Sequence, residues 1–420
     1  MADINVMSQI EKIENTVMSG LKDFQKATVT RIDQLYRAGQ MRVLVSDEVG
    51  LGKTLIARGT IAKLAKMQKE AGDNLVKVVY ICSNASIAEQ NLNKLRITSE
   101  LRTEHTGSSR LSMQHLNIFK QENDSDLLSR YIQLIPLTPD TSFRMTNGAG
   151  TYSERALMFA ILRRLPELSP YTKALEFAMK DGASSGWDGW AKSWYETEVV
   201  ECDKLSGGKY LSYMLDKLSV ELRETVEENV TYLDLIIGMC KNIEKYGYKK
   251  QNNTYVIGKL RVLFAKISLD KLEPDLVIMD EFQRFKYLIN SDPESETGML
   301  ANKFFNSDKV RMLLLSATPY KMYSTLEEID EAQVDEHYSE FFDVMNFLNI
   351  TEKEKNKFKS VWSNYSVHLK ELTDGDTTIL AAKKAAEDAM YQHICRTERV
   401  SATENADIID DKDVNVPLSV

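Results

Sequence analysis

The sequence predicts an α/β fold in which helices cover a parallel sheet and one large helical insertion interrupts it. Short β-rich segments, most of them nearly continuous apolar runs, alternate with long stretches of helical periodicity. This alternation is typical of parallel strands that are buried on both faces. From about residue 152 to residue 271 only helical patterns continue. The strand candidates are residues 42–46, 77–82, 132–137, 275–279 and 311–315.

Composition indicates an ordinary globular protein of 420 residues, 43% hydrophobic and 27% charged. No apolar run is long enough to span a bilayer, and charged residues interrupt the apolar positions of residues 1–19. We therefore expect a cytoplasmic protein without a membrane partner. The formal charge of −9 argues against a protein that coats nucleic acid generally, but a local basic groove stays open. Four scattered cysteines lack zinc-site spacing, which predicts buried thiols.

The helical insertion is predicted from several amphipathic patterns. Ser153 is the expected cap of its first helix, and further helices are expected over residues 210–226, 233–246 and 255–267. Glycines suggest breaks at 182–189 and 207–208. Three tryptophans occur at helical intervals, and we expect them in the core of the insertion rather than on a base-stacking surface: Trp187, Trp190 and Trp194.

The first chemical motif, residues 47–54, follows a strand and opens a helix. Gly50 and Gly52 allow backbone N–H groups to approach phosphate oxygens, Lys53 reaches the terminal phosphates, and Thr54 can bind Mg²⁺. The predicted nucleotide-binding residues in and beside this loop are Val49, Gly50, Leu51, Gly52, Lys53, Thr54 and Leu55. Asp47 stands where the generic pattern has glycine. A glycine-rich turn that only caps a helix is the alternative.

The second motif, residues 274–283, is an apolar strand that ends in two adjacent carboxylates. Asp280 can hold Mg²⁺, while Glu281 can orient and deprotonate the water that attacks the γ-phosphate. A solvated strand end would give the same letters. Together with the phosphate loop, however, the pair predicts a catalytic set of Lys53, Asp280 and Glu281, with Thr54 and Asp280 at the metal.

The third motif, residues 313–319, is another strand that runs into Ser-Ala-Thr-Pro. With it, the chain resembles the first RecA-like lobe of superfamily-two helicases, and the form of the phosphate loop, Asp-Glu-x-Gly-x-Gly-Lys-Thr, is similar to that of Swi/Snf-type motors. The resemblance implies that Ser316 and Thr318 couple the nucleotide site to a nucleic-acid groove. The long insertion and the sequence Glu-Phe-Gln from Glu281 are also similar to bacterial helicase-like proteins.

Weaker similarities occur in the family's order. Phe24 and Gln25 resemble the segment in which a glutamine reads the edge of adenine, although a surface glutamine on a helix is the alternative. Residues 80–91 and 137–143 resemble two loops that grip the phosphodiester backbone, which implies nucleic-acid contacts for Ser83, Asn84 and Thr138. Asp140 replaces the glycine usual in the second loop.

The resemblance runs from Phe24 to Arg399 and covers one lobe. It divides the chain into residues 1–150 and 272–400 as two parts of that lobe, 151–271 as the insertion, and 401–420 as a linker or the start of a second lobe. Residues 395–399 resemble the arginine-containing end of a first lobe, and a solvated basic turn is the alternative. No second strand series and no Gln-x-x-Gly-Arg-x-x-Arg motif is present.

Three functions fit these motifs. The first is a motor fragment that binds ATP and Mg²⁺, acts on DNA or RNA, and needs a second RecA-like lobe in cis or in trans. The second is a nucleotide-gated switch or scaffold that binds nucleic acid without motor activity. The third, a P-loop enzyme that phosphorylates a small molecule, leaves the Ser-Ala-Thr-Pro motif without a role.

Overall fold

The computed structural model describes residues 2–47, 50–83, 85–99, 101, 110–138, 142, 148–180, 184–248, 253–285, 287, 292, 295–305, 309–316, 336–370 and 378–396. Its strands, in chain order, are β1 Arg42–Ser46, β2 Val76–Ile81, β3 Ile132–Leu137, β4 Thr225–Glu227, β5 Val230–Thr231, β6 Leu276–Asp280, β7 Arg311–Ser316 and β8 Ile394–Cys395. Within this part of the chain, no helix has the length and apolar character needed to cross a membrane.

Helices make up most of the remaining structure. They are α1 Ala2–Ser19, α2 Asp23–Arg37, α3 Lys53–Glu70, α4 Ala85–Leu95, α5 Gln114–Glu122, α6 Leu127–Tyr131, α7 Tyr152–Leu162, α8 Thr172–Lys180, α9 Ser184–Gly186, α10 Lys192–Leu205, α11 Lys209–Glu221, α12 Tyr232–Tyr246, α13 Thr254–Leu272, α14 Glu296–Phe305, α15 Glu336–Leu348, α16 Glu352–Lys370 and α17 Thr378–Tyr391. A π-helical turn, Trp187–Ala191, joins α9 to α10.

The central sheet confirms the predicted RecA-like α/β fold. Its six strands are all parallel and lie in the order β3-β2-β6-β7-β1-β8. Strand β7 therefore separates β1, which leads into the phosphate loop, from β6, which ends in Asp280. Because the strands are parallel, their carboxyl ends share one edge, where open α/β sheets bind ligands.

Both faces of the sheet are buried, as the apolar strand sequences predicted. Alternate residues of β1, β2, β6 and β7 contribute to two different cores. One core packs the sheet against α1, α2 and α3, and includes Val43, Val78, Ile278 and Leu313. The other packs it against α13 to α17, and includes Leu44, Val79, Val277 and Leu314. The strands whose carboxyl ends form this edge are thus packed on both faces.

The five predicted strands are confirmed to within one residue, but two β elements were missed. Strand β8 has only two residues and pairs with Leu44 and Val45 of β1, so it is too short to show a periodicity. The antiparallel pair of β4 and β5 lies in and just beyond the predicted helix 210–226, which in the structure ends at Glu221. Asn229 makes the turn of this hairpin with a φ of 60°, a conformation that asparagine tolerates.

A third core occupies the helical region and corrects several local predictions. Trp187 is fully buried there, but Trp190 and Trp194 are 43% and 56% exposed, so the prediction that all three are core residues was wrong. The π-helical turn holds one extra residue and rotates the side chains beyond it by about 100°. The predicted break at 182–189 was wrong over residues 184–189, which are helical, while residues 182 and 183 lie outside the described residues. The predicted break at Gly207 and Gly208 is confirmed, since both adopt positive φ.

Helix α7 begins with a cap at Thr151 rather than at the predicted Ser153. The Oγ1 of Thr151 accepts a hydrogen bond from the N–H of Glu154, and Glu154 accepts one from the N–H of Thr151. Glu154 is fully buried and also accepts hydrogen bonds from Ser112 and Arg261. One carboxylate therefore ties the start of α7 to α13 and to the segment before α5.

Replacing Glu154 with glutamine is expected to destabilise the protein by about 3 kcal/mol. The amide keeps the size of the side chain but leaves the buried guanidinium of Arg261 without its counter-charge. The matched control is Asp234→Asn, which alters the equivalent and exposed capping box of Thr231 and should cost far less. Urea unfolding measures both; equal losses would show that the buried ion pair contributes nothing beyond the cap.

Candidate nucleotide-binding site

The phosphate loop lies between the end of β1 and the start of α3. Gly50 and Gly52 adopt φ values of 87° and 79°, which side chains of L-residues rarely accept. A Cβ at Gly52 would also lie 2.5 Å from Nε2 of Gln25. Lys53 is the first residue of the 18-residue α3, so the positive end of the helix dipole lies at this loop. The local geometry suits a bound anion.

Lys53 lies among the carboxylates of both motifs. Its Nζ donates a hydrogen bond to the backbone oxygen of Asp47 at 3.0 Å. Burial lowers the pKa of Lys53, while the negative charges of Asp47, Asp280 and Glu281 oppose that shift. The structure thus brings Lys53 close enough to feel the charges of Asp280 and Glu281, which lie more than two hundred positions away in the sequence.

The two acidic residues have different surroundings. Asp280 ends β6 and is half-buried opposite Leu315 of β7. Glu281 adopts a φ of 55° and pairs through Oε2 with the Nε of Arg284 at 2.8 Å. Such a φ is uncommon for residues other than glycine, and strained conformations of this kind concentrate at functional sites. The side chain of Glu281 lies at the protein surface beside Asp280 and is 46% exposed.

Asp280 is held by two polar residues that sequence reasoning did not assign to this site. The hydroxyl of Tyr80 donates to Oδ2 of Asp280 at 2.6 Å, and Nδ2 of Asn91 donates to the Tyr80 oxygen at 2.8 Å. Asn91 also lies 3.4 Å from the same Oδ2. Burial, and next the charge of Asp280, raise the pKa of Tyr80 well above its usual range, so this hydroxyl stays protonated. In the sequence, Tyr80 is simply one residue of an apolar strand, and nothing in the strand pattern indicates its contact with Asp280.

Ser316 and Gln25 also lie at the predicted site. Ser316 ends β7, is buried, and pairs in register with Ser46 at the end of β1. Gln25 is only 4% exposed, so the surface-glutamine alternative was wrong. Its Nε2 donates to the backbone oxygen of Leu51 at 3.0 Å, and its Oε1 accepts from the N–H of Lys22. Phe24 beside it is half-buried.

The predicted nucleic-acid residues lie farther along the same edge. Ser83 follows β2 and is half-buried, whereas Thr138 follows β3 and is only 3% exposed. Three strand spacings separate β2 from β1, or about 14 Å. The remaining predicted positions, Val49, Asn84 and Thr318, lie outside the described residues, as do Asp140 and Arg399.

The side chains present fit Mg²⁺ bound together with a nucleotide. In the described part of the chain, no group of three or more His, Cys, Asp or Glu residues could hold a metal by itself. Mg²⁺ in nucleotide sites needs no such group, because it keeps several waters and binds one or two protein oxygens plus phosphates. Thr54, the second residue of α3, and Asp280 offer that set. The four cysteines are buried free thiols, as expected.

A comparison with known families supports the first part of this site. Residues 18–135 match the family described as type III restriction enzyme, res subunit. The matched segment contains Gln25, the phosphate loop, strands β1 and β2, and the first four residues of β3, and it indicates a helicase-like ATPase domain. No curated protein matches the sequence.

Proposed function

We propose that this chain is the ATP-binding first lobe of a nucleic-acid-dependent motor, a helicase or a DNA translocase of Swi/Snf-like type. One observation carries the proposal: the negative charges of Asp280 and Glu281 act on Lys53 of the phosphate loop at the edge of a RecA-like sheet. A loop that only caps a helix needs no such carboxylates. Phosphate transfer to a small molecule is less well supported, because the matched family is helicase-like.

Each residue then has a distinct task in ATP hydrolysis. The N–H groups of residues 50–54 surround the phosphates, and Lys53 neutralises charge on the terminal ones. Thr54 and Asp280 would hold Mg²⁺, which would neutralise part of the phosphate charge. Glu281 orients the attacking water and accepts its proton. Gln25 is proposed to read adenine, which requires its amide to exchange at least one of its present hydrogen bonds for the base.

The nucleic-acid side of the proposal rests on resemblance and on position. Ser83, Asn84 and Thr138 are the proposed backbone contacts, and Ser316 and Thr318 the coupling residues. DNA is the proposed partner, with RNA as the other outcome, and the proposed site of action is the cytoplasm. The division into a lobe at 1–150 and 272–400, an insertion at 151–271 and a linker at 401–420 belongs to the same proposal, as does the need for a second lobe.

Replacing Lys53 with alanine is expected to weaken ATP binding about 10- to 100-fold, since charge-assisted hydrogen bonds contribute about 1.5–3 kcal/mol. Calorimetry with Mg²⁺ and a non-hydrolysable ATP analogue measures this. Lys66→Ala is the matched control, because Lys66 lies on the same helix and pairs with Glu14, which keeps Lys63 as a second partner. Equal affinity in wild type and Lys53→Ala would rule out this loop as the phosphate site.

A further inference from the structure

The hydrogen bonds around Asp280 form a short directional chain. Tyr80 has one hydroxyl hydrogen, and because its oxygen accepts from Asn91, that hydrogen is available for Oδ2 of Asp280. Both bonds are short, at 2.6 Å and 2.8 Å. Among the described residues, Oδ1 of Asp280 accepts no hydrogen bond from the protein. One oxygen of the carboxylate is thus held and the other is available.

Packing in the core does not require the hydroxyl of Tyr80. Tyr80 is 1% exposed and lies in a hydrophobic core cluster that includes Val78 and Ile278. Burying a hydroxyl costs free energy unless it is hydrogen-bonded, and phenylalanine would fill the same space without that requirement. The hydroxyl therefore serves its partner, the carboxylate of Asp280.

We propose that Tyr80 and Asn91 are positioning residues that fix Asp280 for Mg²⁺-dependent nucleotide binding. The inference rests on the proposed function and deepens it. By holding Oδ2, the two residues fix the rotation of the carboxylate, so Oδ1 would be the oxygen left for Mg²⁺. Asn91 lies on α4, the helix that follows Ser83. The metal carboxylate is therefore tied to the helix behind a proposed nucleic-acid loop.

Tyr80→Phe is expected to reduce the affinity for an ATP analogue about 10-fold in the presence of Mg²⁺, because a hydrogen bond to a charged group is lost. The affinity measured in EDTA should not change. Asn91→Ala should give a smaller loss with the same dependence on Mg²⁺. The matched control is Tyr131→Phe, which removes a buried hydroxyl that donates to the backbone oxygen of Ala65 at 2.7 Å, at the opposite edge of the sheet. Its affinity should equal that of wild type with and without Mg²⁺.

A double-mutant cycle tests whether Tyr80 acts through Asp280. In an Asp280→Asn background, adding Tyr80→Phe should change the Mg²⁺-dependent affinity by less than about 2-fold, since the interaction partner is already altered. A full loss of about 10-fold in that background would overturn the positioning role. Should Tyr80→Phe fail to fold, Asn91→Ala decides instead, because Asn91 is only half-buried on α4.

Two failures can be told apart. If wild type binds the nucleotide with a clear dependence on Mg²⁺ and on Lys53, and Tyr80→Phe binds equally well, the positioning role is wrong and the proposed function stands. If wild type shows no Mg²⁺-dependent binding, the proposed function and the positioning role are both wrong. A loss in Tyr80→Phe that is equal in EDTA and in Mg²⁺ also overturns the inference, because a general structural defect would act in this way.

Discussion

Residues 1–420 alone are expected to hydrolyse ATP very slowly, and a second RecA-like lobe, supplied in cis or in trans, should raise turnover with nucleic acid by about 10³- to 10⁵-fold. The reason is geometric. In the proposed motor, ATP lies between two lobes: this one supplies Lys53, Asp280 and Glu281, and the other supplies an arginine that neutralises charge in the transition state. In this proposal the second lobe also supplies half of the contacts to nucleic acid, so binding by this lobe alone should be weak and salt-sensitive.

Steady-state hydrolysis with saturating duplex and single-stranded DNA, and then RNA, measures the effect. Lys53→Ala in the same preparation is the control for contaminating ATPases. A rate of several per second from residues 1–420, abolished by Lys53→Ala, would show that the chain has its own arginine or obtains one by self-association. Nucleotide binding that controls nucleic-acid affinity without any turnover, even with the second lobe, would favour the switch.

Glu281→Gln is expected to lower hydrolysis by the two-lobed protein about 10²- to 10⁴-fold, the contribution typical of a general base. ATP affinity should be retained, since glutamine keeps the shape of the side chain and its backbone φ of 55° is equally strained in both proteins. Asp280→Asn is the contrasting variant, because it should weaken Mg²⁺-dependent binding instead. Single-turnover hydrolysis separates the two effects.

Arg284 provides a second check on the same residue. It pairs with Glu281 in the structure and both side chains are substantially exposed, at 60% and 46%. Arg284→Ala should leave Glu281 able to accept a proton, so its turnover should exceed that of Glu281→Gln. Wild-type rates in Glu281→Gln would mean that another residue activates the water.

The parts of the site that lie in contiguous stretches of sequence could be predicted. The phosphate loop is contiguous, and residues 274–283 carry an apolar strand and its two carboxylates together, so the parallel sheet and the edge that unites them could be predicted. Tyr80 could not be found in this way, because its partner Asp280 is 200 positions away and only the pairing of β2 with β6 brings them together. Asn91 lies in a segment whose resemblance implied a nucleic-acid loop, so its contact with the carboxylate of Asp280 was not predicted.

The tryptophans show a second limit. Their spacing of three and four residues is that of one α-helical face, but the π-helical turn at 187–191 changes this phase, and Trp190 and Trp194 are exposed while Trp187 is buried. One extra residue in a turn has no signature in composition or periodicity. Burial beyond such a turn therefore cannot be inferred from spacing alone.

Helix α13 belongs to two cores at once. Leu260, Phe264 and Ile267 pack in the core of the helical region, whereas Val262, Ala265 and Leu269 pack beneath the sheet. The helix has 19 residues and is thus a rod about 28 Å long. It ends at Leu272, and β6 begins at Leu276 and leads directly to Asp280. A displacement of the helical region is therefore expected to reach the strand that carries Asp280, the proposed ligand of Mg²⁺.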